Sequence, residues 1–146
     1  MSAIAGILLR KGEAVDPLAL RHMAERLSHR GPDGCGLWHE GSVGLIHQIL
    51  WTTPLSHQER QPLTSPDGRL TLTADARLDN REELIAALNL DDPPGGEMTD
   101  GDLILHAYRR WGERCAEKLL GDFALAIWDM DHQTLFCARD PLGVKP

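Results

Sequence analysis

The chain alternates short apolar runs with polar, glycine- and proline-bearing breaks, and the spacing inside each run names its element. Ala3 to Leu9 is apolar, partly β-branched and ends at Arg10-Lys11-Gly12, which predicts a buried first strand and a turn. Asp16 suits a helix N-cap and Pro17 the first helical position. Leu18, Leu20, Met23, Ala24 and Leu27 then recur at three- and four-residue spacing, predicting an amphipathic helix to about Leu27. Gly36 to His39 and Val43 to His47 read as a hairpin turning at Glu40-Gly41-Ser42. Thr52 to Arg60 is polar, contains Pro54 and reads as a loop. Gln61 to Thr64 and Leu70 to Ala74 flank Ser65-Pro66-Asp67-Gly68, the signal of a second hairpin.

In the second half, Asn80 to Leu88 predicts a short helix burying Leu84, Ile85 and Leu88, with Asn80 as cap and Glu83 reciprocating. Asn89 to Glu97, rich in Asp, Pro and Gly, reads as a surface loop. Thr99 or Asp100 caps the next helix, whose stripe is Leu103, Ile104, Ala107, Tyr108 and Trp111 and whose end is Gly112. A shorter helix is predicted from about Arg114 to Leu120, ended by Gly121. Phe123 to Asp129 is uninterrupted apolar sequence, Met130 to Gln133 a turn and Thr134 to Arg139 the return strand, together a central hairpin buried on both faces. With no linker or repeat, residues 1–146 form one domain. Antiparallel hairpins and two groups of helices predict an α+β class in which sheet packs on sheet with helices outside.

Composition narrows the function classes. A 42% hydrophobic and 25% charged share is that of a globular protein able to hold a core without staples. No window approaches the apolar run of a membrane span, and Ala3 to Leu9 is too short for a signal peptide, so the expected location is cytoplasmic, with no membrane partner. A net charge of -7 in scattered clusters argues against nucleic acid and for small molecules or proteins. Cys35, Cys115 and Cys137 are odd in number and widely spaced, which predicts reduced, mostly buried thiols. The seven histidines show no ligand spacing, so no metal is expected and packed or solvated rings are the reading. Trp38, Trp51, Trp111 and Trp128 read as core or interface. His29-Arg30-Gly31-Pro32-Asp33-Gly34 reads equally as an anion-binding loop or as a structural turn held by Pro32 and Asp33.

Five stretches in one order carry a resemblance. These are the N-terminal strand, His29 to Asp33, Gln61-Pro62-Leu63, Gly121 to Asp129, and Arg139-Asp140-Pro141-Leu142-Gly143-Val144-Lys145-Pro146. Together they resemble the class II glutamine amidotransferase domain of asparagine synthetases, over essentially the whole chain. The resemblance implies an αββα sandwich of the N-terminal-nucleophile type. It also implies that removal of Met1 exposes a cysteine whose thiol attacks the glutamine amide, with its own α-amine as base. An α-amine of ordinary pKa near ~8 can relay a proton at neutral pH. The ammonia then serves a C-terminal synthetase domain that uses ATP and Mg, neither of which is expected to bind this chain.

Here the nucleophile position is Ser2. The arginine of the family's His-x-Arg-Leu run falls at Ile49, and a branched alkane cannot replace a guanidinium clamp on a carboxylate. The Asn-Gly-Glu run falls at Asp75-Ala76-Arg77: an ionised Asp75 offers no donor to an oxyanion, and Arg77 reverses a charge. Asp100 keeps the family's residue type but serves equally as a helix cap. The leading expectation is therefore a domain that has lost glutamine hydrolysis and acts as a scaffold beside an ATP-dependent synthetase domain, in cis or trans. Lasso-peptide cyclases and β-lactam synthetases resemble this state, because an internal amine replaces ammonia. Two alternatives stand: a working glutaminase that uses Ser2, and a free-standing binding or regulatory domain. Homo-oligomerisation is compatible with each.

Overall fold

In the computed structural model, which describes residues 2–91 and 97–146, seven strands and three α-helices follow one another. They are β1 (Ala3–Leu8), α1 (Pro17–Leu27), β2 (Gly34–Glu40), β3 (Val43–Ile49), β4 (Leu63–Thr64), β5 (Leu70–Leu78), α2 (Arg81–Leu88), α3 (Asp100–Trp111), β6 (Gly121–Asp129) and β7 (Thr134–Arg139). Two antiparallel sheets result, one ordered β1-β3-β2 and the other β4-β5-β6-β7.

Strand alternation sorts the residues into layers. On β3, Ile46 packs with Leu20 and Ala24 of α1, and the Gln48 carboxamide donates to the Ala24 carbonyl at 2.5 Å. The intervening Val43 and Leu45 face the other way and pack with Trp128 of β6. On β5, Leu70, Leu72, Ala74 and Leu78 join the core under α2 and α3 with Phe123, Leu125 and Ile127. The opposite face of β5 carries Thr71, Thr73 and Asp75, all buried. Thr73 Oγ1 donates across the gap to the Ile46 carbonyl at 2.9 Å. The result is the four-layer αββα sandwich, with a partly polar seam between its sheets.

Several predicted elements need correction. β1 is an edge strand whose burial alternates, so it is not buried throughout, and it ends at Leu8. Of the C-terminal hairpin only β6 is central; β7 is an edge strand and is largely part-exposed. β5 runs on to Leu78 because Asp75 to Leu78 pair with Gly121 to Ala124. The segment after α3 is a 3-10 helix, Gly112–Lys118, and Gly121 opens β6 instead of ending a helix. Asn80 does not cap α2: its side chain donates to the Lys118 carbonyl and accepts from the Leu120 amide, tying α2 to the approach to β6. Of the loop predicted over Asn89 to Glu97, residues 92–96 lie outside the described residues. Only Cys115 is buried; Cys35 and Cys137 are exposed.

β4 is only two residues long, so most of the flank of β5 opposite β6 has no strand beside it. Side chains take over the ladder. The Ala74 amide donates to Gln61 Oε1 at 2.5 Å and the Leu78 amide donates to Asp100 Oδ2 at 3.1 Å. The Gln61 loop closes on Gly36 of β2, where an added Cβ would overlap the Gln61 carbonyl oxygen. We expect Gly36→Ala to lower stability by about 1–3 kcal/mol, the cost of overpacking against main chain. Urea denaturation with an unchanged midpoint would contradict this packing.

Candidate functional site

The ends of β1, β3 and β5 meet the C-terminal segment at one edge of the seam. Ser2, leading into β1, lies beside a cavity of about 180 Å³ that is also lined by Arg30, Asp75 and Pro146. Ser2 Oγ accepts the Leu50 amide at 3.1 Å, and Asp33 Oδ2 accepts the Trp51 amide at 2.8 Å. The segment after β3 is thus clamped from two sides. Gly31 presses on the Gln48 backbone so closely that a Cβ would overlap it. The His29 to Gly34 stretch is therefore a structural turn that carries Arg30 to the cavity.

Asp75 reaches the seam because the Thr-x-Thr-x-Asp alternation of β5 aims it there. Its Oδ1 accepts from Lys145 Nζ at 2.9 Å, and the two side chains are only 10% and 12% exposed. Its Oδ2 is buried with no hydrogen-bond partner among the described residues. Lys145 is delivered by a turn built on Asp140, whose carboxylate accepts the Val144 and Lys145 amides at 2.8 and 3.1 Å. Burial works to raise the Asp140 pKa, but these amide hydrogen bonds outweigh it and hold the carboxyl below its usual range. Arg139 closes the same turn through the Gly143 carbonyl at 2.7 Å.

His47 of β3 is also buried in the seam, with both ring nitrogens unpartnered. Burial pushes its pKa down to about 4, partly opposed by the Asp75 charge, so the ring is neutral at physiological pH.

Of the residues singled out in the sequence, the structure brings Ser2 and Asp75 together at this cavity. Ile49 ends β3 with its side chain against Gly34. Ala76 turns to the opposite face of β5 and packs on the helix-side core. Arg77 is exposed and pairs with Asp79 at 3.0 Å. Asp100 is not the cap of α3. Thr99 caps it, in a reciprocal arrangement with Asp102, and Asp100 accepts the Leu78 amide and pairs with Arg81. Lys145 was visible in the sequence only as part of a motif; the lone signal for its role is a carboxylate placed on the inward phase of an alternating strand.

A larger cavity of about 560 Å³ lies elsewhere, near the end of α3 and the β6–β7 turn, and shares no lining residue with the Ser2 cavity. There Asp129 Oδ2 holds His132 Nδ1 at 2.8 Å, raising the imidazole pKa. Arg69 and Arg109 are each already paired, with Asp131 and Asp67. Of the charged residues lining it all but Glu113 are engaged within the fold, and it gathers none of the positions singled out in the sequence, so the Ser2 cavity is the candidate.

A glutamine amidotransferase domain model matches residues 1–146. The chain belongs to the class II glutamine amidotransferase domains of the asparagine synthetase family. It is 36% identical over 126 residues to asparagine synthetase [glutamine-hydrolyzing] 3 of Bacillus subtilis, covering 85% of this chain and 20% of the relative. It is 35% identical over 145 residues to asparagine synthetase [glutamine-hydrolyzing] of Triphysaria versicolor, covering 97% and 24%. This amidotransferase domain thus spans a fifth to a quarter of those relatives, which extend far beyond the matched segment. In fold it is similar to the glutamine phosphoribosylpyrophosphate amidotransferase of B. subtilis, with a TM-score of 0.74 and 20% identity over 100% of this chain and 38% of that one.

Two outcomes test the seam. Lys145→Met leaves the Asp75 carboxylate buried and unpaired, and should cost about 3–5 kcal/mol in urea denaturation. Because the folded pKa of His47 lies below its unfolded value of 6.5, the unfolded chain binds more protons between pH 6.5 and about 4. Stability should therefore fall across that window as pH falls, by about 2 kcal/mol at pH 5 from this group alone. His47→Leu should remove that component; an identical pH dependence in the variant would rule out His47 as its source.

Proposed function

We propose that this amidotransferase domain has lost glutamine hydrolysis and serves as the structural partner of an ATP-dependent, amide-forming synthetase domain. The observation that carries the reading is the Asp75–Lys145 pair beside Ser2. Where the family's Asn-Gly-Glu run would offer hydrogen-bond donors to a developing oxyanion, this chain has a carboxylate with one oxygen held by a buried lysine. A carboxylate donates nothing and repels that charge, and loss of one such donor typically costs ~100 to 1,000-fold in rate.

The neighbouring changes act in the same direction. Ile49 cannot form the two-pronged bond that a guanidinium makes to a substrate carboxylate. Arg77 is directed to solvent and engaged by Asp79, and Asp100 is engaged by Arg81 and the β5 edge. Each position that would grip glutamine is either apolar or committed to the fold.

ATP and Mg belong to the synthetase part of this reading. Among the described residues no group of three His, Cys, Asp or Glu side chains could hold a metal ion. No helix among them is long and apolar enough to cross a membrane. An acceptor whose own amine closes the amide bond would need no ammonia, which is why a scaffold can persist without glutaminase activity.

The test is glutamate release. Purified protein incubated with glutamine should form no more glutamate than a Ser2→Ala control. Turnover in the wild type that disappears in Ser2→Ala would establish Ser2 as a working nucleophile and overturn the scaffold reading.

A further inference from the structure

We propose that the α-amino group of Ser2, freed by removal of Met1, forms a buried ion pair with the second carboxylate oxygen of Asp75. Ser2 and Asp75 line the same small cavity. Lys145 occupies Oδ1 of Asp75 and nothing among the described residues occupies Oδ2, although that oxygen is shielded from solvent. A carboxylate accepts from donors on both oxygens, and leaving one of them bare in the interior is costly. Ser2 is itself fixed in place, because its Oγ receives the Leu50 amide at the end of β3.

The processing step is a hydrolysis. A methionine-specific aminopeptidase consumes one water, cleaves the Met1–Ser2 peptide bond and releases methionine, and the new terminus carries the ammonium proton. Serine at the second position has the small side chain such enzymes accept.

The charges around that terminus are mixed, and the open carboxylate oxygen is the feature that selects an ammonium. Asp75 contributes a negative charge from β5, Lys145 and Arg30 positive charges from the C-terminal segment and the turn after α1, and His47 of β3 is neutral. Among the described residues Asp75 is the sole side-chain carboxylate lining the cavity. An amine held as ammonium has no lone pair with which to take a proton, so the group that would act as base becomes a structural cation. This consequence rests on the function proposed above; the ion pair can be measured independently of it.

The experiment uses full-length protein made with its natural start. Intact mass reports whether Met1 is gone. Reductive methylation followed by peptide mass spectrometry then gives the pH midpoint at which the Ser2 amine becomes reactive, in folded protein and in the same protein unfolded in urea. The folded midpoint should lie at least about one pH unit above the unfolded one, a tenfold difference in the neutral amine at a given pH. Asp75→Asn should bring the two midpoints together; if that variant does not fold, the wild-type comparison stands alone. Retention of Met1, equal midpoints in folded and unfolded protein, or a folded Asp75→Asn variant with an unshifted midpoint would each overturn the pairing. Equal midpoints are also the result if a water fills the site. Glutamate assayed in the same preparations separates the two ideas: glutamate release counts against the scaffold, whereas an ordinary amine midpoint counts only against the ion pair.

Discussion

The alternation along β5 is the constraint on which the rest of the molecule depends. One phase, Leu70, Leu72, Ala74 and Leu78, supplies the core beneath α2 and α3; the other, Thr71, Thr73 and Asp75, faces the first sheet. A slip of one residue would turn the leucines into the seam and the carboxylate into the helix core, which no partner there could satisfy. The nine-residue pairing with β6 prevents that slip. Because one strand serves both layers, the position of Asp75 is fixed by the largest apolar cluster of the fold.

That rigidity lets side chains at the site differ without disturbing the fold around them. The scaffold holding Ser2, Asp75 and Arg30 is made of strand ladders, the Asp33 clamp and the Asp140 turn, none of which needs a ligand to form. The paired carboxylate and ammonium of Asp75 and Lys145 are held on those supports. The pair also makes the C-terminal segment part of the seam, since Lys145 closes a charge that the strand alone would leave open.

Apolar periodicity was enough to place the helices and hairpins, because burial of one face is a local property of sequence. Asp16 before Pro17 and Thr99 before α3 were legible for the same reason, and both cap their helices. Asn80 misled because a side chain suited to a cap found stronger partners at Lys118 and Leu120, thirty-eight and forty residues on. The extension of β5 was obscured by Asp75, a poor strand former whose cost is offset by Lys145, seventy residues away. Likewise Asp100 looked free to cap a helix until the short β4 left a neighbouring amide unpaired. What the residues could not reveal is in each case a long-range partner.

The side chains of Gln61 and Asp100 that complete the β5 ladder have an effect beyond this domain's own stability. A strand edge with free amides is a template on which another extended chain can add. A carboxamide and a carboxylate satisfy two of those amides without presenting a new row of backbone groups, and Asp100 brings a charge that is itself held by Arg81. Two positions on the flank of β5 opposite β6 are thereby closed to strand addition.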